Sequence, residues 1–445
     1  MTLSFGTDGV RGPASEFTPS WVAALGAAMV DVFGGGSFVL GRDTRESGPR
    51  IVADLTQGIS AAGGSVVDLG VAPTPAVAWV AARDGVPGAV VSASHNPWAD
   101  NGIKVFAPGG TKLDDGTESE LARALDAHLA ASPVAGTSDS AGDGAATLDA
   151  YVAHLVASID GRRLDGLRVV LDCAHGAASA LAPRVFTAVG ADVTVIGNHP
   201  DGRNINENCG STHLELLADT VVRLGADVGL AFDGDADRVL AVDGSGAVVD
   251  GDHIIAMLAL DRHRRGVLVG SAVVVTVMTN LGFRLAMDEA DIEVVETPVG
   301  DRHCLAALER RGLVLGGEQS GHVILRDLAT TGDGMLSGLQ IADLVVRSSQ
   351  PLASLAATAM TRVPQVLHNV EVHGDRAALI DAIRPDVEAE QSRLGSSGRI
   401  LVRSSGTEPL IRVMVEATDA GVAAEVATRL VTAVTSLDGA GEPSP

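Results

Sequence analysis

The composition of the chain excludes several classes of protein. Of its 445 residues 46% are hydrophobic and 20% are charged, which suits several packed domains and is too apolar for a disordered chain. Lysine and arginine total 32 against 56 acidic residues, a net charge of -24. A field of this sign disfavours binding to nucleic acid or to an anionic membrane, although local basic pockets remain compatible with it.

The cysteines and the first residues predict a cytoplasmic protein. Cys173, Cys209 and Cys304 lie far apart without paired spacing, which indicates neither a disulfide framework nor a thiolate metal site. The opening MTLSFGTDGVRG has no basic start followed by an apolar core, so it does not resemble an export signal. We find no apolar run of the roughly 18 residues that a membrane span needs.

The first part of the chain alternates between helical and strand-like hydrophobic patterns, which is typical of an α/β layer architecture. Helices are predicted at 21–33 and 51–63, and strands at 37–43, 65–70 and 88–94. Residues 131–147 are rich in Gly, Ser and Pro without periodicity, so we interpret them as a surface loop or linker.

The same alternation continues along the chain and predicts parallel βαβ crossovers. In the second unit we expect strands at 167–176, 191–197 and 227–238, the last entering an acidic loop, and helices at 179–190 and 213–225. The third unit has helices at 252–263 and 303–312, an apolar run at 271–279 and a strand at 313–325.

The chain from about residue 367 onward has a different hydrophobic pattern, which is typical of an α+β domain. Strands are predicted at 368–374, 399–406 and 410–417, and helices at 376–394 and 423–434. We therefore predict four domains, 1–147, 148–250, 251–366 and 367–445, of which the first three are similar α/β units.

A polar cluster, Ser92-Ala93-Ser94-His95-Asn96-Pro97, follows the apolar run GAVV. Loops at strand ends in α/β sheets are common ligand sites. A serine hydroxyl there could be activated by the neighbouring imidazole or by a metal, although the same residues also suit an ordinary turn. GxSxG is not matched, which excludes a nucleophile elbow.

Three carboxylates at alternate positions, Asp233, Asp235 and Asp237, follow the run VGLAF. Acids this close repel one another unless a cation neutralises them, and hard oxygen ligands suit Mg²⁺. An EF-hand is excluded because Arg238 and Gly244 stand where its glycine and glutamate are needed. A solvated acidic turn is the remaining alternative.

Two further loops carry polar groups suited to a phosphorylated sugar. The segment 316–322, GGEQSGH, offers an acceptor in Glu318, a hydroxyl in Ser320 and a titratable donor in His322. The segment 403–409, RSSGTEP, combines hydroxyls and glycine with a guanidinium that suits a phosphate. Each could instead be a plain surface loop.

Taken together, these segments resemble the α-D-phosphohexomutase superfamily over nearly the whole chain. The matching segments are FGTDGVRG, SASHNP with DNGIK, DGDADR, GEQSGH and RSSGTEPLIRV, in this order. The residues of these motifs resemble those of the branch of the superfamily that acts on glucosamine phosphate. The fold implied is four domains around a central cleft, and the resemblance allows for a homo-oligomer.

The resemblance also implies a role for each motif. Ser94 would carry a phosphoryl group and would join the three aspartates around one Mg²⁺. Other residues implied to surround the transferring phosphoryl are Arg11, His95, Lys104 and Arg238, with proton transfer open between His95 and Lys104. Sugar hydroxyls would be held by Glu318 and Ser320, with His322 beside them. The distal phosphate would be held by Arg403, Ser405, Gly406, Thr407 and Arg412.

The implied reaction interconverts glucosamine 6-phosphate and glucosamine 1-phosphate through a phosphoserine enzyme and a bisphosphate intermediate. In the superfamily this step feeds UDP-N-acetylglucosamine and cell-wall synthesis. The alternatives are a mutase acting on mannose or glucose phosphates, a serine-dependent sugar phosphatase, and a non-catalytic sugar-phosphate sensor.

Overall fold

The computed structural model describes residue 3, the backbone of 5–6, and residues 9–130, 142–404 and 409–439. The chain divides into two compact units. The larger comprises 1–278 and 290–359, and the smaller comprises 279–289 and 360–445. In the described residues the strands form four β-sheets, three in the larger unit and one in the smaller.

The first sheet has six strands in the order β1-β2-β6-β5-β3-β4. Its strands are β1 (Phe5–Gly6), β2 (Gly9–Pro13), β3 (Ser37–Arg42), β4 (Ser65–Val71), β5 (Gly88–Val91) and β6 (Asp100–Phe106). The accompanying helices are α1 (Pro19–Phe33), α2 (Gly48–Ala61), α3 (Thr74–Asp84) and α4 (Asp115–Ala130). Leu25, Met29 and Leu55 of α1 and α2 pack with strand residues such as Phe38 and Leu40 in its core.

The second sheet has five strands in the order β11-β10-β9-β7-β8. These are β7 (Arg168–Asp172), β8 (Asp192–Ile196), β9 (Val228–Phe232), β10 (Val239–Asp243) and β11 (Val248–Val249), with helices α5 (Gly144–Ala157), α6 (Leu181–Ala188) and α7 (Glu215–Leu224). Helix α5 begins inside the segment that we predicted to be a linker, because Asp143 accepts a hydrogen bond from the backbone N–H of Ala146 and caps the helix. Residues 131–141 of that segment lie outside the described residues.

The third sheet has four strands in the order β13-β12-β14-β15. These are β12 (Ala272–Thr276), β13 (Glu293–Thr297), β14 (Leu315–Gly317) and β15 (Val323–Leu325). The helices of this region are α8 (Gly251–Arg264), α9 (Leu281–Glu289), α10 (Asp301–Arg311), α11 (Gly334–Ser348) and α12 (Leu352–Ala359). The single strand predicted at 313–325 is wrong, since it is a hairpin whose loop contains Glu318 and Ser320.

The three sheets of the larger unit share one pairing pattern. In each, a central strand, β3, β7 or β12, is parallel to both of its neighbours. One of those neighbours, β5, β9 or β14, then pairs antiparallel with the strand that follows it along the chain. The loops 92–99, 233–238 and 318–322 therefore occupy the same position in three similar α/β domains, which confirms the predicted fold class.

The smaller unit contains α9 and the C-terminal α+β region. Its strands β16 (Gln365–Glu371), β17 (Gly398–Ser404) and β18 (Leu410–Ala417) form an antiparallel sheet in the order β16-β18-β17. Helices α13 (Arg376–Leu394) and α14 (Ala420–Gly439) contribute Ile383, Val426 and Leu430 to its core.

One expectation from the sequence, that no apolar run reaches the length of a membrane span, is wrong for helix α14. Its residues Ala420–Asp438 have a mean hydropathy of 1.2 and are long and apolar enough to cross a membrane by length and composition. Ala423, Val426, Ala427, Leu430 and Val434 of this helix are buried in the core of the C-terminal region, as in an amphipathic helix that packs on a sheet.

A buried pair, Tyr151 on α5 and Asp333 before α11, links two regions of the larger unit. The Tyr151 hydroxyl donates to Asp333 Oδ2 at 2.6 Å, and Asp333 Oδ1 accepts from the backbone N–H of Leu336. Burial raises the pKa of Asp333 to about 6, although these hydrogen bonds oppose the change. The folded state therefore holds this proton more tightly than the unfolded state.

We expect Asp333→Asn to become more stable relative to the wild type as the pH rises from about 3 to about 7. The contribution of protonated Asp333 is fully present below its unfolded pKa and is lost as the pH rises through about 6. The full change corresponds to about 3 kcal/mol of unfolding free energy. Thermal unfolding at several pH values measures it, with the exposed-carboxyl variant Asp126→Asn as control. A difference between Asp333→Asn and wild type that is constant over this range would contradict the assignment.

Candidate active site

Ser94 lies in the loop after β5 and faces the acidic loop after β9. Its side chain is buried, and its Oγ donates a hydrogen bond to Asp233 Oδ2 at 2.6 Å. His95 Nδ1 lies 3.3 Å from the same Oγ. Ser92 instead donates to Asp43 Oδ2 at 2.6 Å and accepts the backbone N–H of Ser94. Of the two serines, Ser94 is thus the one directed at the carboxylates.

Asp233, Asp235 and Asp237 form a compact group of buried oxygen ligands. One carboxylate oxygen from each lies within 4.8 Å of the others. Asp235 Oδ1 and Asp237 Oδ1 are buried and accept no hydrogen bond from the described residues. A buried acceptor without a donor is costly, and a bound cation would satisfy both atoms. The group therefore fits a metal ion that prefers oxygen ligands.

The second oxygens of two of these carboxylates are held by donors from the first α/β domain. Lys104 Nζ donates to Asp235 Oδ2 at 2.8 Å and to Asp237 Oδ2 at 3.0 Å. The Thr74 hydroxyl also donates to Asp235 Oδ2, at 2.6 Å, and the Thr74 N–H donates to the Asp235 carbonyl. These donors occupy the Oδ2 atoms of Asp235 and Asp237 and leave both Oδ1 atoms without a hydrogen-bond donor among the described residues.

Burial and neighbouring charges shift the pKa values of Asp233 and Asp237 in opposite directions. Burial, together with the charges of Asp237 and Asp235, raises the pKa of Asp233. Burial also opposes ionisation of Asp237, but Lys104 and His322 outweigh it and lower its pKa. A bound divalent cation favours the ionised form of every carboxylate around it.

The group around Ser94 includes two arginines and a neutral histidine. Burial, then the positive charges of Arg238 and Arg11, lower the pKa of His95 to about 4. His95 is therefore uncharged at neutral pH and can accept a proton or a hydrogen bond. Burial opposes the charge of Arg238, but Asp237 and Asp233 outweigh it and raise its pKa. Two guanidiniums close to the serine suit an anionic substrate group.

The hairpin loop after β14 brings a third set of residues to the acidic group. His322 is buried, with Nδ1 at 3.7 Å from Asp237 Oδ1 and Nε2 at 3.5 Å from Asp301 Oδ2. Burial opposes its charged form, but these two carboxylates raise its pKa. Glu318 and Ser320 are partly exposed. Glu318 accepts a hydrogen bond from the backbone N–H of Gly300.

The predicted phosphate-binding residues of the smaller unit are described only in part. Arg403 on β17 and Arg412 on β18 are directly opposite cross-strand partners. Burial and the positive charge of Arg412 lower the pKa of Arg403. Like charges placed opposite each other are destabilising, so an anion bound to both would relieve their repulsion. The predicted residues Ser405, Gly406 and Thr407 lie outside the described residues.

Several residues at the site carried no motif in the sequence. Thr74 holds Asp235, Asp301 faces His322, and Asp43, Arg45 and Asn206 surround the Ser94 loop. One available signal was the polar triplet 43–45, which follows the apolar strand β3 just as Ser92 follows β5.

Four family matches cover most of the chain. They are described as the α/β/α domains I, II and III of phosphoglucomutase/phosphomannomutase, at residues 2–131, 149–246 and 250–363, and its C-terminal domain, at 362–433. The chain therefore belongs to the phosphoglucomutase/phosphomannomutase family and is an isomerase of the phosphohexomutase class. The predicted family membership is confirmed.

Individual relatives and solved structures agree with this assignment. The chain is 50% identical over 449 residues to a phosphoglucosamine mutase of Frankia alni, covering 98% of each, and 50% identical over 452 residues to that of Rhodococcus erythropolis, covering 98% of this chain and 100% of the relative. A phosphoglucomutase/phosphomannomutase family protein from Burkholderia thailandensis has a similar structure, with TM-score 0.81, 26% identity and 97% coverage of each chain.

We expect Gly234→Ala to reduce turnover far more than folding would account for. A Cβ at this position would lie 2.6 Å from the Ser94 carbonyl oxygen and 2.9 Å from Asn206 Nδ2, so the acidic loop and the Ser94 loop must separate. Misplacement of reacting groups by about 1 Å can cost roughly 10²-fold in rate. Steady-state kcat, compared with thermal unfolding, measures the effect.

The matched control for Gly234→Ala is Gly35→Ala, where the nearest atom to the added methyl is the Gly63 carbonyl oxygen at 3.9 Å. This control should turn over like the wild type. Wild-type kcat in Gly234→Ala would show that the close approach of the two loops is unimportant for turnover.

Proposed function

We propose that the chain interconverts glucosamine 6-phosphate and glucosamine 1-phosphate, through a phosphoserine at Ser94 and a bisphosphate intermediate. The observation that carries the chemistry is the 2.6 Å hydrogen bond from Ser94 Oγ to Asp233, in the same acidic group as two buried carboxylate oxygens, Asp235 Oδ1 and Asp237 Oδ1, that accept no hydrogen bond within the part of the chain that the structure describes. Support for the substrate comes from relatives at 50% identity, which are phosphoglucosamine mutases. In such a role the enzyme would supply the precursor of UDP-N-acetylglucosamine for cell-wall synthesis.

In the proposed mechanism Asp233, Asp235 and Asp237 hold one Mg²⁺, with the Ser94 side chain as a further ligand. The metal would neutralise charge that develops on the transferring phosphoryl group. Hard carboxylate oxygens fit this ion better than a softer metal. Lys104 Nζ, bound to two of the carboxylates, offsets their charge and fixes their orientation.

The remaining residues of the larger unit would position the reacting groups. Arg11 and Arg238 bind the oxygens of the phosphoryl group, as guanidiniums do. For proton transfer the geometry favours His95, whose Nδ1 lies 3.3 Å from Ser94 Oγ, over Lys104, which is engaged by the aspartates. Glu318 and Ser320, with His322 behind them, would bind sugar hydroxyls through their oxygen atoms.

The phosphate that is not being transferred would be held by residues of the C-terminal domain. Arg403 and Arg412 supply two guanidiniums on adjacent strands. We propose Ser405, Gly406 and Thr407 as further donors, because hydroxyls and backbone N–H groups can hold the substrate in both of its orientations.

The proposed domains 1–147, 148–250, 251–366 and 367–445 each carry one of the four motifs. We further propose a cytoplasmic enzyme that can form a homo-oligomer.

Turnover with Mg²⁺ and a trace of hexose bisphosphate should show the highest kcat/KM for glucosamine phosphate among glucosamine, glucose and mannose phosphates. Peptide mass mapping of the active protein should place the phosphate on Ser94. Ser94→Ala should abolish turnover, because it removes the hydroxyl that donates to Asp233 and that would carry the phosphoryl group. Ser119→Ala, on the exposed face of α4, is the control.

Each part of this proposal has its own contrary outcome. A preference for glucose or mannose phosphate would overturn the substrate but leave the serine chemistry intact. Steady release of inorganic phosphate without the isomer would indicate a phosphatase. A phosphate on Ser92 would exclude Ser94, and turnover unchanged in excess chelator would exclude the metal.

Substitution of Arg403 should weaken substrate binding more than it slows the chemical step. Loss of a charged hydrogen-bond donor to phosphate costs about 1.5–3 kcal/mol, which corresponds to a roughly 10- to 100-fold rise in KM for Arg403→Ala. Arg384→Ala removes an exposed arginine of the same unit and is the control. An unchanged KM in Arg403→Ala, measured for both sugar phosphates, would contradict a role in phosphate binding.

A further inference from the structure

The loop that carries Ser94 is wrapped around a buried guanidinium. Arg45 is fully buried, and its Nη2 donates to the carbonyl oxygens of Ser94 at 3.0 Å and Asn96 at 2.9 Å. Its Nη1 donates to the carbonyl oxygens of Pro97 and of Asp100, the latter at 3.1 Å. One side chain thus binds four carbonyl groups of the loop from the inside.

Asp43 fixes the orientation of this guanidinium. Its Oδ2 accepts from Arg45 Nε at 2.8 Å and its Oδ1 from the Arg45 backbone N–H at 3.0 Å. The same Oδ2 accepts from the Ser92 hydroxyl, which in turn accepts the backbone N–H of Ser94. Both the N–H and the C=O of Ser94 are therefore bound by one connected network.

A second donor reaches the same carbonyls from the second α/β domain. Asn206, in the segment between β8 and α7, donates from Nδ2 to the carbonyl oxygens of Ser94 at 2.9 Å and Asn96 at 3.1 Å. Asn206 is buried, and its own N–H donates to the carbonyl of Ala174. Arg45 and Asn206 together form a clamp on these two carbonyl oxygens, here called the carbonyl clamp.

The backbone of Ser94 shows why such a clamp is needed. Its φ of 52° lies in the left-handed region, which costs a residue with a side chain roughly 1–2 kcal/mol. Such a conformation persists only where surrounding contacts enforce it. Rotation of Ser94 back to an ordinary conformation would break its carbonyl contacts and turn its Oγ away from Asp233.

We propose that Arg45 and Asn206 are positioning residues for phosphoryl transfer. They hold Ser94 in the left-handed conformation that directs its Oγ at the acidic triad, and so set the rate at which Ser94 accepts and returns a phosphoryl group. This inference rests on the proposed function of Ser94. Because both residues bind the backbone of the loop, their loss should lower kcat with little change in KM.

Asn206→Gly and Asn208→Gly provide a matched pair of variants. Asn206 and Asn208 have φ values of 58° and 52°, so glycine suits both backbones equally. Of these two asparagines, Asn206 donates to the Ser94 loop, whereas Asn208 is exposed. We expect Asn206→Gly to lower kcat about 10-fold or more, with KM within about twofold, and Asn208→Gly to match the wild type.

The rate of Ser94 phosphorylation by a hexose bisphosphate, followed by intact mass, should fall by the same factor in Asn206→Gly. Arg45→Lys keeps the charge and part of the donor set, so it should retain more activity per folded molecule than Arg45→Met. Thermal unfolding separates loss of folded protein from loss of rate. If both Arg45 variants fail to fold, the asparagine pair still decides the question.

The outcomes also distinguish this inference from the function on which it rests. Wild-type protein that acquires phosphate on Ser94, together with a wild-type transfer rate in Asn206→Gly, would overturn the clamp alone. Equal slowing in Asn206→Gly and Asn208→Gly would also overturn it, since the backbone change would then be the cause. Wild-type protein that never acquires phosphate on Ser94 would overturn both.

Discussion

The arrangement of the larger unit depends on three buried carboxylates, those of Asp233, Asp235 and Asp237, which lie within five residues of the chain. Each buried negative charge must be matched by a donor or a cation. Lys104 and Thr74 donate to Asp235 Oδ2, and Lys104 also donates to Asp237 Oδ2. The Oδ1 atoms of both aspartates have no hydrogen-bond donor among the described residues, and His322 Nδ1 lies 3.7 Å from that of Asp237. These partners come from the first and third α/β domains of the larger unit, whereas the aspartates belong to the second. The domains therefore complete one charge arrangement that a single domain could not provide.

The fold was largely predictable because its strands are short apolar runs and its helices are amphipathic. The helix predicted at 21–33 is observed at Pro19–Phe33, and the strand predicted at 227–238, entering the acidic loop, is observed at Val228–Phe232. The hairpin of β14 and β15 was missed because apolar residues flank the polar loop on both sides and imitate one long strand. The first turn of α5, Gly144-Ala145-Ala146-Thr147, was assigned to a linker because it shows no hydrophobic periodicity; the helical spacing begins only with the buried residues Leu148, Tyr151, Val152 and Leu155.

The site was predictable to the extent that its residues follow strands. Ser94 and Asp233 could be identified because their loops leave the ends of apolar strands. The carbonyl clamp could not, since Arg45 and Asn206 lie 49 and 112 residues from the serine whose backbone they bind. The polar triplet 43–45 after β3 marks Arg45 as a residue at a strand end, but nothing in the local sequence shows which distant carbonyl groups it binds. The geometry of such contacts is visible only once the chain is folded.

The scarcity of lysine has a consequence for covalent chemistry. Lys104 and Lys112 are the two lysines among 32 basic residues, and their side chains are only 3% and 9% exposed. Both are also ion-paired, Lys104 with the acidic triad and Lys112 with Asp301. Arginine therefore provides nearly all of the accessible cationic surface. Reagents that acylate side-chain amines should react slowly with the folded protein, and the reaction should become rapid only when the larger unit unfolds.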